Sequence, residues 1–249
     1  MRYLRSGVQW LTAGVGFGVA AYLAYVGTAW LRYGHASQPA VFEETDPLLD
    51  RFMPEYEVAE RHYIRIAAPA ATTFSVATDL HLTQSAVIQA IFKTRELVLR
   101  ARPDTSVRPQ ALTTQMKALG WSVLAEIPDR EIVMGAATQP WMANVVMHAL
   151  PPDQFAAFHK PGYVKIAWTL RADSIGPAES IARTETRVAT TDPTAPAKFR
   201  RYWSFFSPGI ILIRHICLGL VKKEAERRTL ESESAYSAAS ILTSGPRPV

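Results

Sequence analysis

The chain of 249 residues carries a single cysteine, Cys217. That excludes an internal disulfide and any cysteine-based metal site. Cys217 lies in the apolar stretch 210–221 with no partner motif, so a buried, inert thiol is expected rather than a nucleophile. Strong net charge is missing too: 27 basic against 22 acidic residues leave a formal +5. There is no finger spacing, RNP-like run or long basic tract, which excludes the common nucleic-acid modules. No serine elbow or cysteine partner completes a triad around Asp79 and His81. His148, His159 and His215 lack metal-ligand spacing. The folded part has no glycine loop that would cradle a phosphate, and no internal repeat is visible. Neither a metal nor a cofactor is expected, and no nucleic-acid partner.

The clearest feature that is present is the apolar run 8–31. It holds no charge, and only Gln9 and Thr12 interrupt it before Thr28. A helix of that length covers a hydrocarbon core of about 30 Å. Trp10 and Trp30 sit near its two ends, where indole rings favour the headgroup boundary. Residues 1–32 are therefore expected to form an N-terminal transmembrane anchor. Arg2 and Arg5 precede the run, and the acids Glu43, Glu44 and Asp46 follow it beyond Arg32. The positive-inside bias then favours a single-pass protein whose folded domain is exported, periplasmic or extracellular, over a cytoplasmic one. A cleaved signal peptide is the rival, although its apolar core is normally shorter. Gly14 and Gly18 form a small-xxx-small pair that would let two copies meet as a homodimer; glycine merely tolerated in lipid is the alternative.

Residues 33–47 are polar, acidic and without periodicity, and read as a linker. A folded domain is expected over 48–230 and a Ser/Ala-rich disordered tail over 231–249. Within the domain, 57–66 alternates as a half-buried strand with Val58, Ile64 and Ile66 on one face. Pro69 opens a short helix. A second helix is expected over 83–100, capped by Thr83, and a third over 111–119 ends at Gly120. Strands 121–127 and 131–137 flank a turn at Pro128-Asp129-Arg130. Residues 140–159 are irregular and rich in Met, Trp, Phe and Pro. There, Trp141, Met142, Met147, Phe155 and Phe158 would make a lid, a patch dipping into a bilayer, or simple packing under a loop. Strands 162–171 and 180–191 follow, then a long helical region to about residue 228, which Ser207-Pro208-Gly209 should kink or break. The basic residues Arg200, Arg201, Arg214, Lys222, Lys223, Arg227 and Arg228 cluster in that region. A solvated helix face is expected of them; attraction to anionic headgroups is the alternative. Antiparallel hairpins with segregated helices make the fold class α+β.

Several stretches carry a family resemblance. Tyr56-Glu57-Val58 and His62-Tyr63-Ile64-Arg65-Ile66-Ala67-Ala68-Pro69 read like a first strand running into a proline-led helix bearing an aromatic, Phe74. Residues 162–170 and Thr184-Glu185-Thr186-Arg187-Val188 look like the last paired strands. Phe199-Arg200-Arg201-Tyr202-Trp203 with 210–221 looks like a closing helix. In these the chain, over about residues 54–228, resembles the START/Bet v 1-like (SRPBCC, polyketide cyclase-like) superfamily, and a bacterial subgroup of uncharacterised members within it. The resemblance implies a helix-grip fold: a curved antiparallel sheet wrapped around a long C-terminal helix, enclosing an apolar cavity. It implies binding of a hydrophobic small molecule or lipid. The anchor is a departure from most relatives, which are soluble.

On the residues themselves, Val58, Glu60, His62 and Ile64 share one strand face, with Glu60 and His62 about 7 Å apart along it. Val164, Ile166, Trp168, Thr184, Thr186 and Val188 are the candidate cavity walls, with Phe74 from the first helix. Glu60 and His62 would orient a ligand's polar end or move a proton, unless they sit wetted at the mouth. The leading expectation is a membrane-anchored binder of a hydrophobic small molecule or lipid. A cyclase or hydrolase using Glu60 and His62 is the second, and an interaction module without ligand the third.

Overall fold

The computed structural model describes residues 2–36, 45–81, 85–101 and 110–243, with 2–15 and 236–243 described for backbone only. The elements are α1 (Arg2–Arg32), α2 (Pro47–Asp50), β1 (Val58–Ile66), α3 (Ala70–Thr78), α4 (Ala86–Leu99), α5 (Leu112–Ala118), β2 (Ser122–Ile127), β3 (Glu131–Thr138), β4 (Met147–His148), α6 (Pro152–Phe155), β5 (Val164–Gly176), β6 (Glu179–Thr190) and α7 (Ala195–Thr243). The main sheet runs β1-β6-β5-β3-β2, with β4 added to β3, and every pairing is antiparallel. α7 crosses one face, packed against β1, β6 and α3. The architecture is α+β of the helix-grip type.

Period-two alternation decides what each face carries. On the inner face, toward α7, the register lines up Val58, Val188, Ile166 and Ala136; then Glu60, Thr186, Trp168 and Met134; then His62, Thr184, Leu170 and Ile132. The core beyond these rows joins Ile66, Phe74, Val76, Ala77, Leu218, Val221 and Ala225. Leu218, Val221 and Ala225 fall on one stripe of α7 by helical spacing. Each large side chain buried there contributes on the order of 2 kcal/mol.

The outer face has its own cover, which the sequence reading did not anticipate. Leu49, Phe52 and Met53, in and after α2, pack with Phe155 of α6 on Leu124, Val133 and Ala167. Asp46 caps α2 by accepting from the Leu49 amide at 2.8 Å. The folded domain thus begins ahead of residue 48. Part of the expected linker is docked as well: Tyr33 packs on the cluster around Phe199, and the Gly34 amide donates to the Glu57 carbonyl. Residues 37–44 lie outside the described residues, as does Thr83; the described cap of α4 is Ser85.

α7 begins where the Asp192 carboxylate collects the Thr194 and Ala195 amides, the Thr194 hydroxyl and the Gly162 amide. Those donors hold its pKa down at about 2. The helix runs through Ser207-Pro208-Gly209 without a break. Pro208 forfeits one ladder bond, but this is where neighbours close in. Ser207 bonds Tyr25 of α1 at 3.1 Å, and a Cβ on Gly209 would lie 3.1 Å from Ile91 of α4. The tail expected to be disordered from 231 is helical to Thr243. Ion pairs one helical turn apart, Arg227–Glu231 and Arg228–Glu224, carry the helix past the domain.

α1 is a helix over Arg2–Arg32, antiparallel to the start of α7. Tyr22 Oη donates to the Phe205 carbonyl at 2.6 Å, and Arg200 Nε to the Trp30 carbonyl at 2.8 Å. The Arg200 guanidinium also lies over the Trp30 ring, 4.4 Å from its centre. Phe17, Val19, Leu23 and Leu31 are exposed. Among the described residues, the segment long and apolar enough to cross a membrane is Ala195–Ala235, which is C-terminal rather than N-terminal. α7 nonetheless gives Phe199, Trp203, Leu218, Val221 and Ala225 to the domain core, as a core helix does.

Candidate functional site

The inner face is packed solid at both ends and looser in the middle. At one end Val58, Val164 and Val188 are buried against Phe199 and Trp203. At the other, Ile66, Ala182 and Phe74 are buried against Leu218 and Val221. Those expected cavity residues Val58, Val164, Val188 and Phe74 are therefore core. Between the ends, Glu60, His62, Ile64, Ile166, Trp168 and Thr184 are each only half-buried. Ile166, Trp168 and Thr184 stand on central strands, flanked on both sides and facing the covering helices. Side chains so placed lose all their accessible surface when a centre is filled. Here Ile166 and Trp168 keep part of that surface while packing on the edges of the two core clusters.

Polar groups converge there. The Glu60 carboxylate approaches His62 Nε2 to 3.6 Å, too far for a hydrogen bond. His62 Nε2 is buried without a hydrogen-bond partner among the described residues. The ring meets His215 of α7 edge-on, with centroids 4.7 Å apart. Arg214, one residue earlier on α7, donates through Nη2 to the Thr186 hydroxyl. Its Nε is buried and also without a partner among the described residues. The Glu60 charge acts on Arg214 through space, without an ion-pair contact between them among the described residues. The structure thus brings Glu60, His62, Thr184 and Thr186 together with two residues that sequence reasoning did not place here. A signal for Arg214 existed: it is the charge within the apolar run 210–221, on the helix expected to close the grip.

Other sequence candidates fall elsewhere. Phe155 belongs to the outer face, Phe158 meets Tyr163, and Trp141 packs near Phe199. Met142 is exposed. Cys217 is half-buried against the inner core. An open pocket of about 390 Å³ lies at the β2–β3 turn, lined by Asp129, Arg130 and Asp173 among others. Of its two acids, Asp173 is already engaged, pairing with Arg130, Arg171 and Arg183.

The fold and this half-open face define a helix-grip domain. No family model matches the chain, and no curated protein matches it. Several solved structures are similar in outline. A hypothetical protein from Helicobacter pylori aligns at 7% identity over 76% of this chain and 99% of its own, with a TM-score of 0.37. An aromatase/cyclase from Streptomyces sp. R1128 aligns at 12% identity over 68% and 94%, with a TM-score of 0.28. A START superfamily protein from Mycobacterium smegmatis aligns at 13% identity over 70% and 97%, with a TM-score of 0.24. Correspondence of this order concerns fold outline alone.

Proposed function

We propose that this protein binds a hydrophobic small molecule or lipid on the open middle of the inner face, beside a membrane that α1 enters. The observation that carries the reading is the half-burial of Ile64, Ile166 and Trp168, three large apolar groups on the inner face that the core clusters cover only in part. An apolar ligand seated there removes their remaining surface from water, at about 25 cal/mol per Å². The exposed Phe17, Val19, Leu23 and Leu31 give α1 a lipid-compatible surface. Its seam with α7 keeps the domain close to the bilayer, where membrane-derived ligand is concentrated. The arginines ahead of the run favour an exported domain over a cytoplasmic one. Of the Gly14–Gly18 pair that would admit a second copy, Gly18 meets nothing within 4 Å among the described residues, and Gly14 lies outside the residues whose side chains are described.

The test is native mass spectrometry of the full chain released from membranes, followed by extraction of whatever travels with it. A stoichiometric apolar molecule supports the proposal; a ligand-free protein that takes up none when supplied refutes it. A second reading, an enzyme of the cyclase or hydrolase type, draws on the unpartnered His62 imidazole beside the Glu60 carboxylate. It requires that the bound molecule be returned chemically altered, and that His62→Ala stop the change without stopping binding.

A further inference from the structure

Arg214 is a cation in search of an anion. One of its nitrogens donates to the neutral Thr186 hydroxyl, while Nε is buried with no acceptor among the described residues. A guanidinium cannot relieve this by losing its proton. Leaving its donors dry is costly unless a charge meets them. The inner-face acid in the opening, Glu60, lies toward His62 instead. Its side chain is 25% exposed, so its own charge stays partly hydrated.

Arg187, the most buried arginine on the outer face, is in the opposite situation. Arg187 alone engages Glu185, Asp50 and the Met53 carbonyl. On the site's other flank the surroundings are apolar. Trp168 pairs across the sheet with Thr186, the residue that holds Arg214, and Ile166 pairs with Val188, two residues further along β6 on the same face. A head at Arg214 therefore leaves a tail lying over Trp168 and Ile166.

We propose that the ligand is an anionic amphiphile: an acid headgroup, carboxylate or phosphate, seated on the free Nε edge of Arg214, with its apolar chain over Trp168 and Ile166. The guanidinium fork matches either oxyanion, and His62 Nε2 supplies a further polar contact. The inference rests on the reading that the inner face binds an apolar ligand, and it names that ligand's class.

The test uses the full chain in detergent and three probes of equal length: hexadecanoic acid, hexadecyl phosphate and hexadecanol. At least one acid is expected to bind about thirtyfold or more tightly than the alcohol, the range seen when one partner of a buried charge pair is removed. Arg214→Gln is expected to bring that ratio close to one. Arg214→Lys keeps the charge but loses the fork, so it is expected to restore part of the preference. Equal binding of acid and alcohol to the unaltered protein overturns the headgroup assignment and leaves the apolar reading standing. That ratio needs no variant to fold. Failure of every probe to bind overturns both. Inorganic phosphate that competes as well as hexadecyl phosphate identifies a free anion as the occupant and overturns the amphiphile.

Discussion

Arg187 on the outer face of the sheet and Arg214 on the inner face treat buried charge in opposite ways. On the outer face, Arg187, with a side chain only 2% exposed, bridges Glu185 and Asp50, while Arg61 also pairs with Glu185. Arg171 and Arg183 share Asp173. Those charges tie α2 and the strands together. On the inner face, Arg214 has a hydroxyl, and His62 Nε2 has no hydrogen bond among the described residues, only the Glu60 carboxylate at 3.6 Å. The comparison separates two uses of the same chemistry. A charge whose partners are supplied by the chain, as for Arg187, ties elements together, and Arg214 with its single hydroxyl partner does so less.

The sharpest way to break that comparison is to remove one arginine from each face. Arg187→Leu leaves Glu185 and Asp50 without their common partner under α2, and is expected to cost about 3 kcal/mol or more in chemical denaturation. Arg214→Met removes an unpaired cation and is expected to change stability by less than about 1 kcal/mol, with stabilisation on the same footing as loss. Equal large losses would erase the distinction between the faces.

Packing offers a smaller contrast. Gly135 lies on the outer face, and a Cβ there would come 2.5 Å from Leu124 Cδ1 and 2.6 Å from Phe155 Cε2. Gly135→Ala is expected to cost about 1–3 kcal/mol, read as a lower melting temperature. An unchanged melting temperature would mean that α6 does not press on the sheet.

Titration sharpens the outer face further. Glu131 is 3% exposed and stands beside Asp46, also 3% exposed. Burial, and then the Asp46 charge, push its pKa up to about 8. The folded state therefore holds a proton that the unfolded chain releases near 4.5. Stability from this group is complete below that lower value and is lost as pH climbs through about 8. Unfolding free energies measured from pH 5 to 9 should fall, and Glu131→Gln should flatten the trend. A slope that survives the substitution assigns the effect to another group.

The smallest effect belongs to the seam. Tyr22→Phe deletes the hydrogen bond to the Phe205 carbonyl and should cost about 0.5–1.5 kcal/mol. It should raise amide exchange in α1 while leaving the sheet unaffected. Faster exchange in β6 would show that the seam supports the domain itself.

Much of this was legible in the residues. Alternation over 57–66 and 180–191 put Glu60, His62, Thr184 and Thr186 on one face, because period two needs no knowledge of the partner strand. The turn at 128–130 declared itself in the same way, and Asp129 takes the left-handed conformation there with φ 58°. Arg214 was read as surface because the rotation of a helix against a sheet is a tertiary fact, invisible to a list of basic residues. Pro208 was read as a kink or a break because the residues that crowd round it, Tyr25 and Ile91, are far away in sequence. The outer cover was missed because a four-residue helix such as α2 has too few turns to show a period. Val58, Val164 and Val188 were rightly placed by face, but which stretch of a face is filled depends on Phe199 and Trp203 arriving from the far end of the chain.

α7 spans 49 residues, about 70 Å of rod. Proline has no hydrogen to give, so the ladder misses a rung at Pro208, between the place where Tyr22 and Tyr25 grip the rod and the place where Arg214 leaves it. A rod yields first where a rung is missing. Tilting of α1 is then felt by the guanidinium as a flex, not as a slide of the whole helix.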